Sequence, residues 1–394
     1  MTPTEPERGP SGARLILNGG SSTLKFALYR DGVRCLRGTL ERIGGDPQLR
    51  LGQAPAGLLP PATLTAPDTP TAAASLLDWL DAQGALAGVA AIIHRIVHGG
   101  RDFATPAVLD ATTLERLDAL SPLAPLHQPQ ALAVVRACQR RLPGIRQIGC
   151  FDTAFHRDQP RLHQLFALPR ALGDEGILRY GFHGLSYAHI ARRLREQEGE
   201  VAGGRAIVAH LGQGASLCAM HRGQSLATTM GFTALDGLMM GRRCGALDPG
   251  VLLYLQRQRG WDLERIERLL YQESGLLGVS GRSDDMRDLL ASDDPACREA
   301  VDLFVHRLVR EIGALVAVLG GLDTLVFTAG IGEHAAPIRQ RVCEQLAWLG
   351  IALDPRRNSE HGPRLDRGEG PRLWVLATDE EAEMYLATRA LLEA

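Results

Sequence analysis

Three glycine-rich runs follow apolar stretches in this chain: Asn18-Gly19-Gly20-Ser21-Ser22-Thr23, Gly212-Gln213-Gly214-Ala215-Ser216 and Gly330-Ile331-Gly332-Glu333-His334. A glycine turn at the end of a strand lets backbone N–H groups approach phosphate oxygens with no Cβ in the way. One such turn is ordinary, whereas three in one chain point to the phosphates of a nucleotide. None has the G-x-x-x-x-G-K-[ST] spacing of the phosphate loop or the strand-to-helix G-x-G-x-x-G of dinucleotide folds, so both classes are disfavoured. Two residues past the first turn stands Lys25, the single lysine among 43 basic residues, the other 42 being arginine. An ammonium is a compact point charge with three rotatable donors, and it reaches crowded phosphate oxygens where a planar guanidinium fork does not. The plain alternative is a surface lysine kept by chance.

Other polar groups cluster at the ends of apolar runs. His94-Arg95 opens a segment that closes with His98-Gly99-Gly100, and His127 lies in a loop bracketed by Pro125 and Pro129. Asp152 follows an apolar run, His183 lies between Gly181 and Gly184, and Arg242-Arg243 sits in a loop that ends at Asp248-Pro249. Singly, each reads as a cap or a local ion pair. Together, arginines and imidazole donors beside carboxylates are the parts needed to handle two anions.

The elements that must position these groups alternate between strand and helix. Residues 14–18, 24–30 and 33–40 read as strand, strand and strand, with a hairpin turn at Asp31-Gly32. The same grammar recurs at residues 206–211, 217–221 and 224–229, with a turn at Arg222-Gly223. Aligning Leu24 with Leu217 superimposes the glycine turns and leaves the hairpin turns about two residues out of step. An internal duplication of one β-hairpin core is the economical reading. Residues 44–75, rich in Pro, Ala, Gly and Thr, read as loop with short strands. Further strands are expected at 89–97, 147–151 and 325–329, and helices at 113–120, 130–141, 185–197 and 300–319. This alternation indicates an α/β chain with mixed sheets.

Composition bounds the possibilities. A net charge of -2 excludes binding to nucleic acid by bulk phosphate neutralisation, and no polybasic membrane segment is present. At 394 residues the chain is expected to hold two or three domains of roughly 100–200 residues. The seven cysteines (35, 138, 150, 218, 244, 297 and 343) are scattered, with no C-x-x-C pair, as expected of reduced thiols in a cytoplasmic chain. No apolar run approaches the ~18 residues needed to span a bilayer. The first dozen residues have no apolar centre and read as a tail, not a signal peptide.

Ten ordered blocks then carry a family resemblance: residues 18–25, 94–100, 124–127, 151–156, 180–183, 210–216, 229–249, 280–288, 329–333 and 378–381. From Arg14 to Ala394 the chain resembles the acetokinase family. The resemblance implies two duplicated ribonuclease-H-like domains of the acetate and sugar kinase/Hsp70/actin fold with a nucleotide cleft between them. It implies a tail over residues 1–13, an N-terminal domain of 14–150 with 380–394, and a C-terminal domain of 151–379. The implied reaction is reversible transfer of the γ-phosphoryl group of ATP to acetate, giving acetyl phosphate and ADP. The implied metal is Mg²⁺, with Mn²⁺ as the alternative, and the implied assembly is a homodimer in the cytoplasm.

Carried over by position, Asp152, His183 and Arg243 match the catalytic residues, Arg95 matches the arginine that orients the substrate carboxylate, and His127 matches a supporting donor on the substrate side. Val97, Leu126 and Phe182 match the apolar pocket for its methyl group. Lys25 with His210, Leu211, Gly212, Gln213 and Gly214 matches nucleotide contacts, as do Asp285, Met286, Arg287, Gly330, Ile331, Gly332, Glu333 and His334. Asn18 and Glu380 match the metal site. Gln213, His334 and Asp379 each replace an asparagine of the family pattern, the last adding negative charge beside Glu380, and Ala234 replaces a pocket proline. The alternatives are a propionate or other short-chain carboxylate kinase and a non-catalytic, nucleotide-gated scaffold. A carboxylate of pKa near ~4 is ionised at neutral pH and needs no general base. Asp152 is therefore expected to orient an arginine or the water shell of the metal.

Overall fold

The computed structural model describes residues 12–20, 22–61, 63–199 and 204–393. Residues 1–11 of the expected tail and Ser21 of the first glycine turn lie outside the described residues, and Ala13 already belongs to a strand. The chain divides into two compact units, Met1–Ala154 with Asp379–Ala394, and Phe155–Thr378.

The first unit is built on strands β1 (Ala13–Gly19), β2 (Leu24–Arg30), β3 (Val33–Glu41), β4 (Gln48–Gln53), β5 (Val89–Ile96), β6 (Ala107–Val108) and β7 (Arg146–Phe151). They form one sheet in the order β4-β3-β2-β1-β5-β7-β6. β1 through β4 pair antiparallel, whereas β1, β5 and β7 run parallel. The β2–β3 hairpin turns on Asp31 (φ 48°) and Gly32 (φ 82°), the two positive-φ residues that match the right-handed twist of the strands. One face of the sheet buries Leu15, Leu17, Phe26 and Ile92 under Leu76, Leu77 and Leu80 of the helix Thr69–Ala82 and Val134 and Cys138 of the helix Gln128–Arg141.

The helix Thr69–Ala82 corrects the reading of residues 44–75 as loop. Its start is written locally: the Asp68 side chain accepts from the Thr71 N–H at 2.7 Å, and Pro70 occupies the first turn, where a missing N–H costs nothing. Similar signals move other helix starts ahead of expectation. The long helix begins at Pro295 rather than 300, capped by Asp294, whose carboxylate accepts from Ala296 N–H at 2.9 Å.

The second unit carries β8 (Arg205–Leu211), β9 (Ala215–His221), β10 (Gln224–Thr228), β11 (Thr324–Thr328) and β12 (Arg372–Val375) in the order β10-β9-β8-β11-β12. β8, β9 and β10 pair antiparallel, and β8, β11 and β12 run parallel. This repeats the order and sense of β3-β2-β1-β5-β7, so both units are ribonuclease-H-like and the duplication is real. Its register differs from the one expected. Pairing Leu24 with Ala215, the first residues of β2 and β9, brings Asp31-Gly32 onto Arg222-Gly223, which also has both φ values positive (52° and 72°). The two-residue slip vanishes once the strands are aligned by their own first residues, and the loop before β9 is one residue shorter than the loop before β2.

The third glycine run is not a turn between strands. β11 ends at Thr328, and the helix Ala329–His334 starts at once, its corner made by Ala329 at φ 64°. Among the described residues no helix is long and apolar enough to cross a membrane, and all seven cysteines are free thiols.

Candidate active site

In the first unit the site grows from the ends of β1, β5 and β7. Asn18 of β1 and Lys25 of β2 are direct cross-strand partners, so their side chains share one face. Lys25 is exposed, whereas Asn18 is buried and its amide bridges two carboxylates. The Asn18 Nδ2 donates to Glu380 Oε2 at 2.9 Å and to Glu381 Oε1 at 2.7 Å. Both glutamates lie in the first turn of the helix Glu380–Ala387, whose N-cap Asp379 accepts from the Ala382 N–H at 2.9 Å. Asp379 does not add an unmatched charge to this corner, because it pairs with Arg34 and lies 4.0 Å from Arg37. Burial raises the Glu381 carboxyl above its ordinary value, and Lys25 pulls against that rise.

Arg95, near the end of β5, is gripped by Asp152, the residue after β7. Its Nε donates to Asp152 Oδ1 at 3.0 Å and its Nη2 to Oδ2 at 2.5 Å, a bidentate pair with the carboxylate 1% exposed. The Asp152 N–H is itself tied to the Ile96 carbonyl at 3.0 Å, which fixes the carboxylate against β5. Burial pushes the Asp152 carboxyl up while the Arg95 guanidinium draws it back; Asp152 and Glu380 together keep Arg95 charged. Arg95 Nη1 also reaches Asn18 Oδ1 at 3.4 Å, joining Arg95 to the carboxylate corner. Arg95, Val97 and His127 line one cavity, together with His94, Gln130 and Val134. His94 is held neutral: burial lowers its pKa to about 4 while its Nε2 hydrogen-bonds Gln147 Oε1 at 2.7 Å. Leu126 is half-buried and does not line that cavity.

At the corner formed by Asn18, Glu380 and Glu381 the two carboxylates supply oxygens, the donor type preferred by hard divalent ions. Among the described residues no group of three or more His, Cys, Asp or Glu could hold a metal. An ion held here would need water or substrate oxygens for its remaining ligands.

In the second unit a row of residues gathers at the ends of β8 and β9. His183 precedes the helix Gly184–Glu198 with a left-handed backbone, φ 58°. Its ring stacks on His210 at 4.2 Å, and its Nδ1 is 2.9 Å from Ser216 Oγ. Between them the chain turns at Gly212-Gln213-Gly214, with the Gly212 N–H donating to the Gly214 carbonyl at 3.1 Å. A Cβ on Gly214 would lie 3.1 Å from His183 Nε2 and 3.8 Å from Arg243 Nη1, so a side chain here would crowd both groups. Arg243 Nη1 donates to the carbonyl of Ala234 at 3.1 Å. Phe182 is fully buried, with its carbonyl accepting from His156 Nε2 at 2.9 Å.

The remaining nucleotide candidates divide by what their side chains can offer. Leu211 and Met286 are core residues, so only their backbone can meet a ligand. Asp285 caps the helix Met286–Ala291 and pairs with the exposed Arg287 at 2.5 Å. Gly330 stands out from Gly332, because a Cβ on Gly330 would meet nothing within 4 Å, whereas at Gly332 it would press on the Phe327 backbone at 3.3 Å. The space beside Gly330 is open to a ligand. Gln213 and His334 are exposed, Ile331 is half-buried, and the Glu333 carboxylate accepts from the Ala329 N–H at 2.8 Å.

Three residues escape motif reasoning. Glu381 shares the Asn18 amide with Glu380, and its adjacency was the available signal. Tyr187 places its hydroxyl 2.5 Å from Ser216 Oγ, but in sequence it is one more apolar-face residue of a helix. Arg339 is wholly buried and donates to the Gly332 and Glu333 carbonyls at 2.9 Å, closing the end of the Ala329–His334 helix. Burial lowers its pKa to about 10, and nothing in the sequence separates it from a solvated arginine.

Residues 13–385 match the acetokinase family. The chain is 49% identical over 383 residues to the acetate kinase of Rhodopseudomonas palustris (strain TIE-1), covering 93% of this chain and 95% of that protein. Among solved structures it is similar to a propionate kinase from Francisella tularensis subsp. tularensis SCHU S4 (TM-score 0.88, 34% identity, 95% of this chain and 98% of that one). It is also similar to the acetate kinase of Porphyromonas gingivalis (TM-score 0.82, 32% identity, 97% of this chain and all of the other). Agreement in sequence over nearly the whole length, and in overall structure, means that this chain belongs to the acetokinase family.

Proposed function

We propose that the chain transfers the γ-phosphoryl group of ATP to acetate, reversibly, with Mg²⁺ as its metal. Membership of the family implies a kinase acting on a carboxylate with ATP or ADP and a divalent metal. The observation that carries the finer reading is the engagement of Asp152. Both of its oxygens accept from Arg95, so it serves to hold that guanidinium rather than to take a substrate proton. An acceptor hydroxyl would need a base there; an acceptor carboxylate, already ionised, needs only to be held.

The roles follow from the geometry of each unit. Arg95, oriented by Asp152, takes the substrate carboxylate, Val97 bounds its methyl end, and His127, which lines the same cavity, is a supporting donor. His183 and Arg243, side by side around Gly214, take the equatorial oxygens of the transferring group, where charge accumulates in a loose in-line transfer. Lys25 meets the nucleotide phosphates, and the open space beside Gly330 and the exposed Arg287 serve the nucleoside. When bound, the metal neutralises phosphate charge; Asn18, Glu380 and Glu381 are the residues that would hold it.

We propose further that the chain forms a homodimer. The helix Pro249–Arg259 buries none of its residues and exposes Val251, Leu253 and Tyr254. Several large apolar side chains left exposed on one helix are a usual mark of a partner surface. Cytoplasmic placement is supported by the seven free thiols.

The activity is tested by incubating the protein with ATP, Mg²⁺ and acetate in the presence of hydroxylamine, which converts acyl phosphate to a coloured hydroxamate. We expect acetate to give the highest kcat/KM, with propionate and butyrate as comparison acids. ATP turnover without hydroxamate from any of the three would sink the proposal.

A further inference from the structure

His183 is held more tightly than its place in a loop suggests. His210 and Ser216 are direct cross-strand partners on β8 and β9, so both project from the same face of the sheet. The imidazole of His183 lies flat on His210, with an interplanar angle of 18°, and touches Ser216 Oγ through Nδ1 at 2.9 Å. One turn into the following helix, the Tyr187 N–H donates to the His183 carbonyl at 3.0 Å, and the Tyr187 hydroxyl lies 2.5 Å from the same Ser216 Oγ. Tyr187 and Ser216 are fully buried. The result is a line of three groups: Tyr187 hydroxyl, Ser216 hydroxyl, His183 Nδ1.

We propose that Tyr187 is a positioning residue that acts through Ser216 to hold His183 as the neutral tautomer protonated on Nε2. This rests on the assignment of His183 to the transferring phosphoryl group. A phenol and an alcohol each carry one hydrogen that must find an acceptor. Among the described residues, the Tyr187 hydroxyl has Ser216 Oγ as its partner, and Ser216 Oγ has Tyr187 and His183. The Tyr187 hydrogen therefore goes to Ser216, and the Ser216 hydrogen to Nδ1. If Nδ1 instead carried a hydrogen and donated it to Ser216, one hydroxyl hydrogen would be stranded in the dry interior at its full desolvation cost.

Two further observations agree with this order. Burial pushes the Tyr187 phenol well above its ordinary range, so it remains a donor. Arg243 Nη1 and His183 Nε2 flank the same point beside Gly214, and a neutral imidazole tolerates a neighbouring guanidinium where an imidazolium is repelled. His183 thereby presents a hydrogen-bond donor to the incoming phosphoryl oxygens without charge of its own, and its orientation is set before the substrate arrives.

The test uses the full chain with isotope-labelled histidine nitrogens, the His183 signals being assigned by their loss in His183→Gln. In the wild-type protein at neutral pH we expect Nε2 protonated and Nδ1 bare. Tyr187→Phe keeps the ring and its packing against Phe155 and His156. It should mix the two tautomers and lower kcat about tenfold, with KM for ATP and for acetate held within about twofold. Ser216→Ala should move the same readouts further. A protonated Nδ1 in the wild type would overturn the proposal, as would a Tyr187→Phe variant with native tautomer and native kcat. A structural tyrosine would lower Tm alone and leave the nitrogen signals unmoved. If the wild-type protein formed no acyl phosphate, the functional reading would fail, while the spectra would still decide the tautomer.

Discussion

The Arg95–Asp152 pair makes the sharpest claim about a single side chain. Removing one anionic oxygen from a bidentate, buried pair costs about 1.5–3 kcal/mol. Asp152→Asn should therefore lower kcat/KM for acetate by about 10- to 100-fold and leave KM for ATP nearly unchanged, as steady-state kinetics will show. Lys25→Arg is expected to raise KM for ATP despite the conserved charge, because a guanidinium is broader than an ammonium. Wild-type kinetics in that variant would mean that the lysine has no special role. At this scale the motifs made Asn18, Arg95, Asp152 and His183 legible, because polar residues at strand ends stand out against apolar runs. Arg339 and Tyr187 were illegible, since burial is what distinguishes them, and burial is a property of the packed chain.

Secondary structure was legible where hydrophobic period and turn chemistry agreed, as in β1 through β3. It failed where composition misled. The helix Thr69–Ala82 hides behind proline and threonine, although Asp68 and Pro70 announced its start. Asp68→Ala should lower stability by about 1 kcal/mol, the usual worth of an N-cap, measured by urea unfolding. The helix Ala329–His334 was missed because two glycines in six residues oppose helix formation; packing overrides that preference. Arg339 is part of that packing, binding the last carbonyls of the helix, which a short helix cannot satisfy by itself.

Two properties belong to the whole molecule. His94, His98 and His156 are buried, and burial lowers each from 6.5 to about 4. The unfolded chain binds more protons than the native one between those values, so stability is complete above pH 6.5 and falls progressively toward pH 4. Each histidine contributes a slope of up to about 1.4 kcal/mol per pH unit in that window. Thermal unfolding followed across this range should show Tm dropping more steeply than in a triple variant with these histidines replaced. The proposed dimer is checked by light scattering: Leu253→Glu should yield a monomer, and a mass already monomeric in the wild type would refute the dimer. The duplicated sheets were legible from the repeated hairpin grammar, but their true register depended on where each second strand begins.

The Asn18 amide meets its two carboxylates across 362 and 363 positions of chain. During synthesis β1 leaves the ribosome before the whole of Phe155–Thr378, and Glu380 and Glu381 only after it. The second unit is continuous and can fold as it emerges; the first must wait with its sheet formed and its carboxylate corner empty. If this corner is the metal site, as proposed, metal affinity would be acquired only once Glu380 and Glu381 have been made, and chains released earlier would carry Arg95 without its carboxylate neighbours.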